Sequence, residues 1–324
     1  VSGARRGVRG PSMVTQAAAS GPDAPAVGGL LLVHAHPDDE TITTGGTIAH
    51  YRRLGVPVTV VTCTLGEEGE VIGDRWARLI SVEADQLGGF RIGELDRALG
   101  ELGAGPPRFL GGAGRWRDSG MSGTTADPRP MEPTHPRAFV DSGPAAVEAL
   151  VELLLEIRPQ VVIGYDPRGG YGHPDHIRAH RVTMDAVDAA AEKGWAAPKV
   201  YWTVTDASVL RLHTEALARR TVDRLPGALP PGWRLPAEGE LPCVPSESVT
   251  TTIDVSDVLA AKRAALRAHA TQVSVAASGR EFALSNNVAQ PILPEEHYLL
   301  VRGRLGPVGP DKREHDLFAG IAQP

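Results

Sequence analysis

Two apolar runs that each lead into an acidic-histidine motif restrict this chain to few folds. Leu30-Leu31-Leu32-Val33-His34-Ala35 runs straight into His36-Pro37-Asp38-Asp39-Glu40. Gln160-Val161-Val162-Ile163-Gly164-Tyr165 runs through the glycine-rich Asp166-Pro167-Arg168-Gly169-Gly170-Tyr171-Gly172 into His173-Pro174-Asp175-His176. A near-continuous apolar run, without alternation, is the pattern of a strand covered on both faces, as parallel strands in α/β proteins are. Sites in open α/β sheets form beyond the carboxyl ends of the strands. Both motifs sit at such ends, and they meet if the two strands are neighbours.

The intervening segments extend the pattern. Thr41 to Leu54 reads as a helix leading into the β-branched strand Val56 to Cys63. Trp76 to Leu87 is expected to be helical, Arg108-Phe109-Leu110 to be a short strand, and Pro144 to Ile157 to be a helix with proline near its start. A further helix is expected from His173 through Ala190. This alternation predicts an α/β fold with a Rossmann-like, mostly parallel, doubly wound sheet.

The last third changes character. Strands are expected at 199–204, 249–255 and 297–301, with a helix from Ser256 to Thr271 started by Ser256 and Asp257. The proline-rich stretch from Leu225 to Pro245 reads as a long loop or lid. The expected organisation is a disordered tail over 1–28, a catalytic α/β domain over 29–198, and a smaller mixed α/β region over 199–324 that completes the active-site cleft. The tail lacks apolar periodicity. Its Arg5-Arg6 pair is not followed by the apolar stretch of a secretion signal, and Met13 is an alternative start.

Composition narrows the function classes. A chain of 324 residues is ample for a buried core, and a net charge of -6 argues against a nucleic-acid-binding surface. No run approaches the unbroken apolar length of a transmembrane helix. The two cysteines, Cys63 and Cys243, have neither pair nor metal-site spacing, which argues against a disulfide framework and fits a cytoplasmic setting. The sequence leaves the oligomeric state open.

The motifs have the chemistry of a hydrolytic metal site. A borderline divalent cation favours imidazole nitrogen and carboxylate oxygen, and zinc and ferrous iron suit the same donors. His36, Asp39 and His176 can supply three ligands, leaving Asp38 as a free carboxylate suited to act as general base. A single His-Pro-Asp-Asp segment fits equally well a turn and helix N-cap, with Asp38 or Asp39 accepting backbone N–H groups. Two such motifs are harder to explain that way. His176 and His180, four apart on one expected helix, could share a metal or flank a solvated face; His180 is read as structural. Glu67, Glu68, Glu70 and Asp74 form either a solvated face or the lining of a polar cleft.

Other classes fit less well. His36-Pro37 occupies the place of a dinucleotide-binding glycine fingerprint, and Gly111-Gly112-Ala113-Gly114 lacks both a third glycine in register and the Lys-Ser/Thr of a P-loop. A non-catalytic metal- or sugar-binding protein would need only the three ligands.

The two motifs resemble the hallmarks of the LmbE-like, or GlcNAc-PI de-N-acetylase, family of zinc-dependent deacetylases. The segments Val61 to Trp76, Gln86 to Gly93, Gly111 to Met121, His269-Ala270-Thr271-Gln272 and Leu284 to Asn287 extend the resemblance over nearly everything after residue 28. It is strongest to the branch that removes the acetyl group of N-acetylglucosaminyl-inositol in mycothiol biosynthesis. A related amidase acting on mycothiol S-conjugates shares the fold, metal and mechanism, but the Thr64 to Glu70 segment resembles the biosynthetic branch. The resemblance implies Zn2+ ligation by His36, Asp39 and His176, with Asp38 as base. It further implies that His173 is the protonated partner of the leaving amine, that Asp175 orients it and favours its imidazolium form, and that Tyr171 polarises the amide carbonyl or stabilises the oxyanion. Arg91 and Asp118 match the family's sugar and inositol contacts, so the implied partner is a small amino-sugar inositol. The chain departs from the pattern at Thr41, where a serine commonly follows the glutamate, and in the proline-rich stretch from Asp127 to Arg137.

Overall fold

In the computed structural model, which describes residues 28–124, 127–132, 135–223 and 228–321, a single large sheet organises the chain. In chain order the elements begin β1 (Leu30–His34), α1 (Asp39–Arg53), β2 (Val58–Thr62), α2 (Leu87–Glu101) and β3 (Arg108–Phe109). A hairpin of β4 (Ser122–Thr124) and β5 (Asp127–Arg129) follows, then α3 (Gly143–Ile157), β6 (Val161–Gly164), α4 (Gly169–Gly172), α5 (Pro174–Glu192) and β7 (Lys199–Val204). The remainder is α6 (Ala207–Val222), β8 (Thr251–Asp254), α7 (Leu259–Ala268), β9 (Ser274–Val275), β10 (Glu281–Ala283), β11 (Gln290–Pro291) and β12 (Glu295–Arg302).

The seven-stranded sheet runs β3-β2-β1-β6-β7-β12-β8. The first five strands are mutually parallel, and β12 pairs antiparallel with both β7 and β8. The unbroken apolar run of β1 is explained by helices on both faces. Leu31 and Val33 pack with Leu150 and Leu154 of α3 and Val182 of α5, whereas Leu30 and Leu32 pack with Ile48 of α1, Leu95 of α2 and Ala265 of α7. Fully burying each such side chain contributes roughly 1.5–3 kcal/mol. Strand order reverses between β1 and β6, which pair directly through Leu30–Val161 and Leu32–Ile163. This is the switch point of a doubly wound sheet, where a crevice opens at the carboxyl ends.

Several expectations need revision. Trp76 to Leu87 is not a helix: it forms turns with a 3₁₀ segment at Ala77–Leu79, and the helix starts at Leu87. Four glycines inside α2 mask it in the sequence, yet Gly88 is required, because a Cβ there would lie 2.6 Å from Glu67 Cγ and 2.9 Å from Leu65 Cβ. The Ser256 helix begins as a 3₁₀ turn, and neither Ser256 nor Asp257 caps α7. Asp254 instead accepts the Ser256 N–H, and Asp257 pairs with Arg53.

Helix α6 has almost no sequence signature because only Leu217 in it is buried; its clearest mark is Asp206, whose carboxylate accepts the Ser208 and Val209 N–H groups. The boundary placed at 198/199 falls inside one sheet, since β7, β8 and β12 continue it. Among the described residues of the last third, β9, β10 and β11 form a separate small sheet. The tail over 1–27, Met13 included, lies outside the described residues, as do 225–227 of the Leu225–Pro245 stretch and parts of Asp127–Arg137. Gly28, assigned to the tail, donates its N–H to the Ile157 carbonyl.

Candidate active site

The turn after β1 and the start of α5 bring the two motifs together. Asp39 Oδ2 accepts the His36 N–H at 2.9 Å and the Tyr165 hydroxyl at 2.7 Å, and Tyr165 in turn accepts the Ala35 N–H at 3.0 Å. Around that oxygen, His36 Nδ1 lies at 3.4 Å and His176 Nε2 at 3.2 Å, with the two nitrogens 3.3 Å apart. A tetrahedral ion with bonds of 2.0–2.1 Å has ligand-to-ligand edges of about 3.3–3.4 Å, so the triangle has the size such an ion requires.

The opposite nitrogens are also accounted for. His36 Nε2 lies 3.2 Å from Asp175 Oδ2 and 3.4 Å from Asp118 Oδ1, and His176 Nδ1 lies 3.2 Å from the Gly169 carbonyl. Protons held there leave the inward-facing nitrogens as lone-pair donors. Both geometry and donor chemistry therefore fit a divalent cation. His173 also brings a ring nitrogen within 4.8 Å of those of His36 and His176.

Asp38 stands beside this triangle. It occupies the N-cap position of α1 but makes no side-chain capping bond, which removes the capping alternative for its carboxylate. Burial pushes its carboxyl up to about 6, while Arg91, with Nη2 3.2 Å from Oδ2, pulls the other way. Arg91 is only 3% exposed and also donates to the carbonyls of Gly66 and Pro37. Asp118 sits behind His36, accepting the N–H groups of Glu68 and Gly120. Burial opposes its charge, but His36 more than compensates and holds its carboxyl well below the ordinary range. The structure thus places Arg91 against Asp38, and Asp118 against His36.

The arrangement around His173 differs from expectation. His173 Nδ1 accepts the backbone N–H of Asp175 at 3.1 Å, whereas the Asp175 carboxylate faces His36 and accepts the Ser119 N–H at 2.9 Å. The expected carboxylate–imidazole pair is absent because Asp175 lies in the first turn of α5 and projects towards His36. The predicted rise in imidazolium population is absent too. Burial, then His36 and His176, depress the His173 pKa well below 6.5.

Tyr171 is 38% exposed and sits between Gly170 (φ 68°) and Gly172 (φ 97°), its ring 5.0 Å from that of His176. His180 lies apart from the ligands, with Nδ1 2.8 Å from the Tyr165 carbonyl and its ring edge-on to Trp202. The acidic cluster divides: Glu67 is buried and accepts the Leu65 and Asp118 N–H groups, Glu68 pairs with Arg117, and Glu70 and Asp74 are exposed.

Sequence reasoning assigned no role to Tyr165, Ser119, Glu40 or His269. Tyr165 had a usable signal in ending the strand before the second motif. Glu40 and His269 are 229 residues apart, and only the fold joins them at 2.9 Å.

The family model for PIG-L, GlcNAc-PI de-N-acetylase, matches residues 31–187. A Nocardia farcinica (strain IFM 10152) protein named 1D-myo-inositol 2-acetamido-2-deoxy-alpha-D-glucopyranoside deacetylase is 77% identical over 299 residues, covering 92% of this chain and 98% of that protein. The chain belongs to the GlcNAc-PI de-N-acetylase family. A second member of this family with the same name, from Rhodococcus opacus (strain B4), is 61% identical over 300 residues, covering 90% of this chain and 98% of its own length. Among solved structures, N,N'-diacetylchitobiose deacetylase from Pyrococcus horikoshii is similar over 76% of this chain and 70% of that chain, with 19% identity and a TM-score of 0.45.

Proposed function

We propose that this GlcNAc-PI de-N-acetylase family member hydrolyses the acetamide of 1D-myo-inositol 2-acetamido-2-deoxy-alpha-D-glucopyranoside to the free amine and acetate, a step of mycothiol biosynthesis. The observation that carries the chemistry is the His36–Asp39–His176 triangle with the uncapped Asp38 carboxylate beside it. The names of relatives that match nearly end to end carry the substrate.

His36, Asp39 and His176 would hold a divalent cation, which we read as zinc with ferrous iron suited to the same donors, and when bound it would supply Lewis acidity to the amide carbonyl and to water. Asp38 takes the proton from the attacking water as its oxygen bonds to the acyl carbon. His173 Nε2–H, at the ring position not engaged by the Asp175 N–H, hydrogen-bonds and orients the leaving nitrogen, and the proton that Asp38 took from water passes to that nitrogen as the C–N bond breaks. Tyr171 donates its hydroxyl hydrogen towards the developing oxyanion. Asp175 acts through both ends, its N–H on His173 and its carboxylate behind His36. Arg91 and Asp118 line the sugar and inositol side of the pocket while holding Asp38 and His36.

Residues 29–198 carry the chemistry in this reading, and 199–324 complete the cleft through the His269–Gln272 segment. Among the described residues, no helix is long and apolar enough to cross a membrane. Cys63 and Cys243 are both free thiols, which suits the reducing cytoplasm.

The test is amine release from N-acetylglucosaminyl-inositol and, in parallel, from a mycothiol S-conjugate, by metal-reconstituted protein and its Asp38→Ala variant. The expected result is preference for the first substrate and a loss of about 10²–10⁴-fold in a variant that still holds its metal. Preference for the conjugate would make the chain an amidase of that class. Tight metal binding without turnover of either substrate would overturn the deacetylase assignment.

A further inference from the structure

The backbone of Asp38 has φ 105° and ψ -32°, outside the small left-handed region open to side chains larger than glycine. An aspartate at an N-cap ordinarily turns its carboxylate onto the N–H groups of the first turn. Asp38 leaves that bond unmade, and Glu40 reverses the arrangement by accepting the Asp38 N–H on Oε2 at 2.9 Å. The other Glu40 oxygen accepts the Thr41 hydroxyl at 2.5 Å and lies 2.9 Å from His269 Nε2. Glu40, Thr41 and His269 are completely buried. The departure from the family pattern at Thr41 therefore falls within this network.

Two outcomes compete at this turn. Released, Asp38 would relax towards negative φ and swing its carboxylate onto the first turn of α1, where it would cap the helix and leave the site. Held by Glu40, it keeps the carboxylate beside Arg91 and the ligand triangle. Asp39 cannot make this choice for it, because its own carboxylate is engaged by His36 and Tyr165. His269 follows α7, so the C-terminal region determines where Glu40 points.

We propose that Glu40 and His269 are positioning residues that hold Asp38 in its unusual backbone conformation and so aim its carboxylate into the site. The consequence for turnover rests on the reading of Asp38 as base. A misplacement of about 1 Å can cost on the order of 10²-fold in rate, so the effect should fall on kcat. KM and metal binding should change little, because neither residue belongs to the triangle.

The experiment compares metal-loaded, full-length parent with Glu40→Ala, Glu40→Gln and His269→Ala, and places each substitution also in an Asp38→Ala background. Gln keeps the side-chain volume but offers one acceptor oxygen where Glu40 offers two, so it carries the test if the alanine variant fails to fold. The expected result is a fall in kcat of about 10²-fold for Glu40→Ala and a smaller fall for Glu40→Gln, with metal stoichiometry retained. In the Asp38→Ala background the same changes should cost nothing further. Loss of metal or melting temperature with unchanged kcat per metal-loaded chain would overturn the proposal, as would penalties that multiply in the Asp38→Ala background.

A crystal structure of metal-loaded Glu40→Ala, which removes both acceptor oxygens, gives a readout independent of activity. Asp38 leaving positive φ supports the proposal, and Asp38 remaining near 105° overturns it. If the parent itself does not turn over the amide, the functional reading fails while this structural readout still decides the positioning claim.

Discussion

His36 Nδ1 and His176 Nε2 face each other across 3.3 Å, one carried by the turn after β1 and the other by the first turns of α5. Asp39 Oδ2 closes the triangle at 3.4 and 3.2 Å. A cation that binds this triangle in the folded chain and not in the unfolded one stabilises the fold through mass action. Removing one donor should therefore abolish both binding and the stabilisation. The expected outcome for His176→Ala is loss of stoichiometric zinc, loss of turnover and a melting temperature insensitive to added zinc. Retention of one zinc per chain would show that His173 or Asp118 substitutes as ligand.

Tyr165 spans Asp39 Oδ2 and the Ala35 N–H with a single hydroxyl. Outer partners of this kind orient a ligand, and their removal typically costs 10–100-fold in metal affinity. Tyr165→Phe keeps the ring stacked on His176 and deletes only the bridge. Competition titration with a chelator should show weaker zinc binding by about one to two orders of magnitude, and unchanged affinity would reduce Tyr165 to a packing role.

Gly46 lies in the middle of α1 against buried Val255. A Cβ there would sit 2.7–2.8 Å from three atoms of that β-branched side chain. Glycine to alanine in a helix ordinarily gains about 1 kcal/mol, but overpacking a tight core costs about 1–3 kcal/mol. The contact also disturbs the Glu296 carboxylate, which accepts the N–H groups of Gly46 and Thr47. Overpacking should therefore win, and Gly46→Ala should lower the denaturant midpoint; a midpoint at or above that of the parent would refute this.

His297 supplies a pH-dependent contribution to stability. Burial holds its pKa down to about 4 from 6.5, with Asp206 and Glu296 opposing and Arg313 reinforcing the shift. Its Nε2 has no hydrogen-bond partner among the described residues. Between pH 6.5 and about 4 the unfolded chain binds this proton and the folded chain does not, so stability is lost as pH falls through that window. A shift of this size corresponds to about 3 kcal/mol. Relative to its value at pH 7.5, the stability difference between His297→Gln and parent should grow in favour of the variant by up to that amount at pH 4. A pH-independent difference would show that His297 titrates normally.

The gathering of His36, Asp39 and His176 beside Asp38 was readable because each motif is contiguous and lies beyond the end of its strand, so local pattern and sheet topology gave the same placement. Helix α2 was displaced in the sequence reading because its glycines weaken the helical signal, whereas their value lies in the close approach of Gly88 to Glu67. The direction of the Asp175 carboxylate was misjudged for a related reason. Adjacency to His173 suggested a pair, but helical rotation from the first turn of α5 sends the side chain to His36 instead.

The sequence by itself determined the parallel, doubly wound sheet and the candidate donor residues at the ends of its strands, because these depend on apolar runs and on residue chemistry within a few positions, whereas the neighbouring of β1 and β6 came from the tertiary structure. The tertiary structure alone decided how those donors are held. Glu40 meets His269 across 229 residues, Tyr165 reaches Asp39 across 126, and Glu296 reaches Gly46 across 250. Buried polar groups must find partners wherever the fold supplies them, and no local pattern encodes a partner that chain folding brings from so far away.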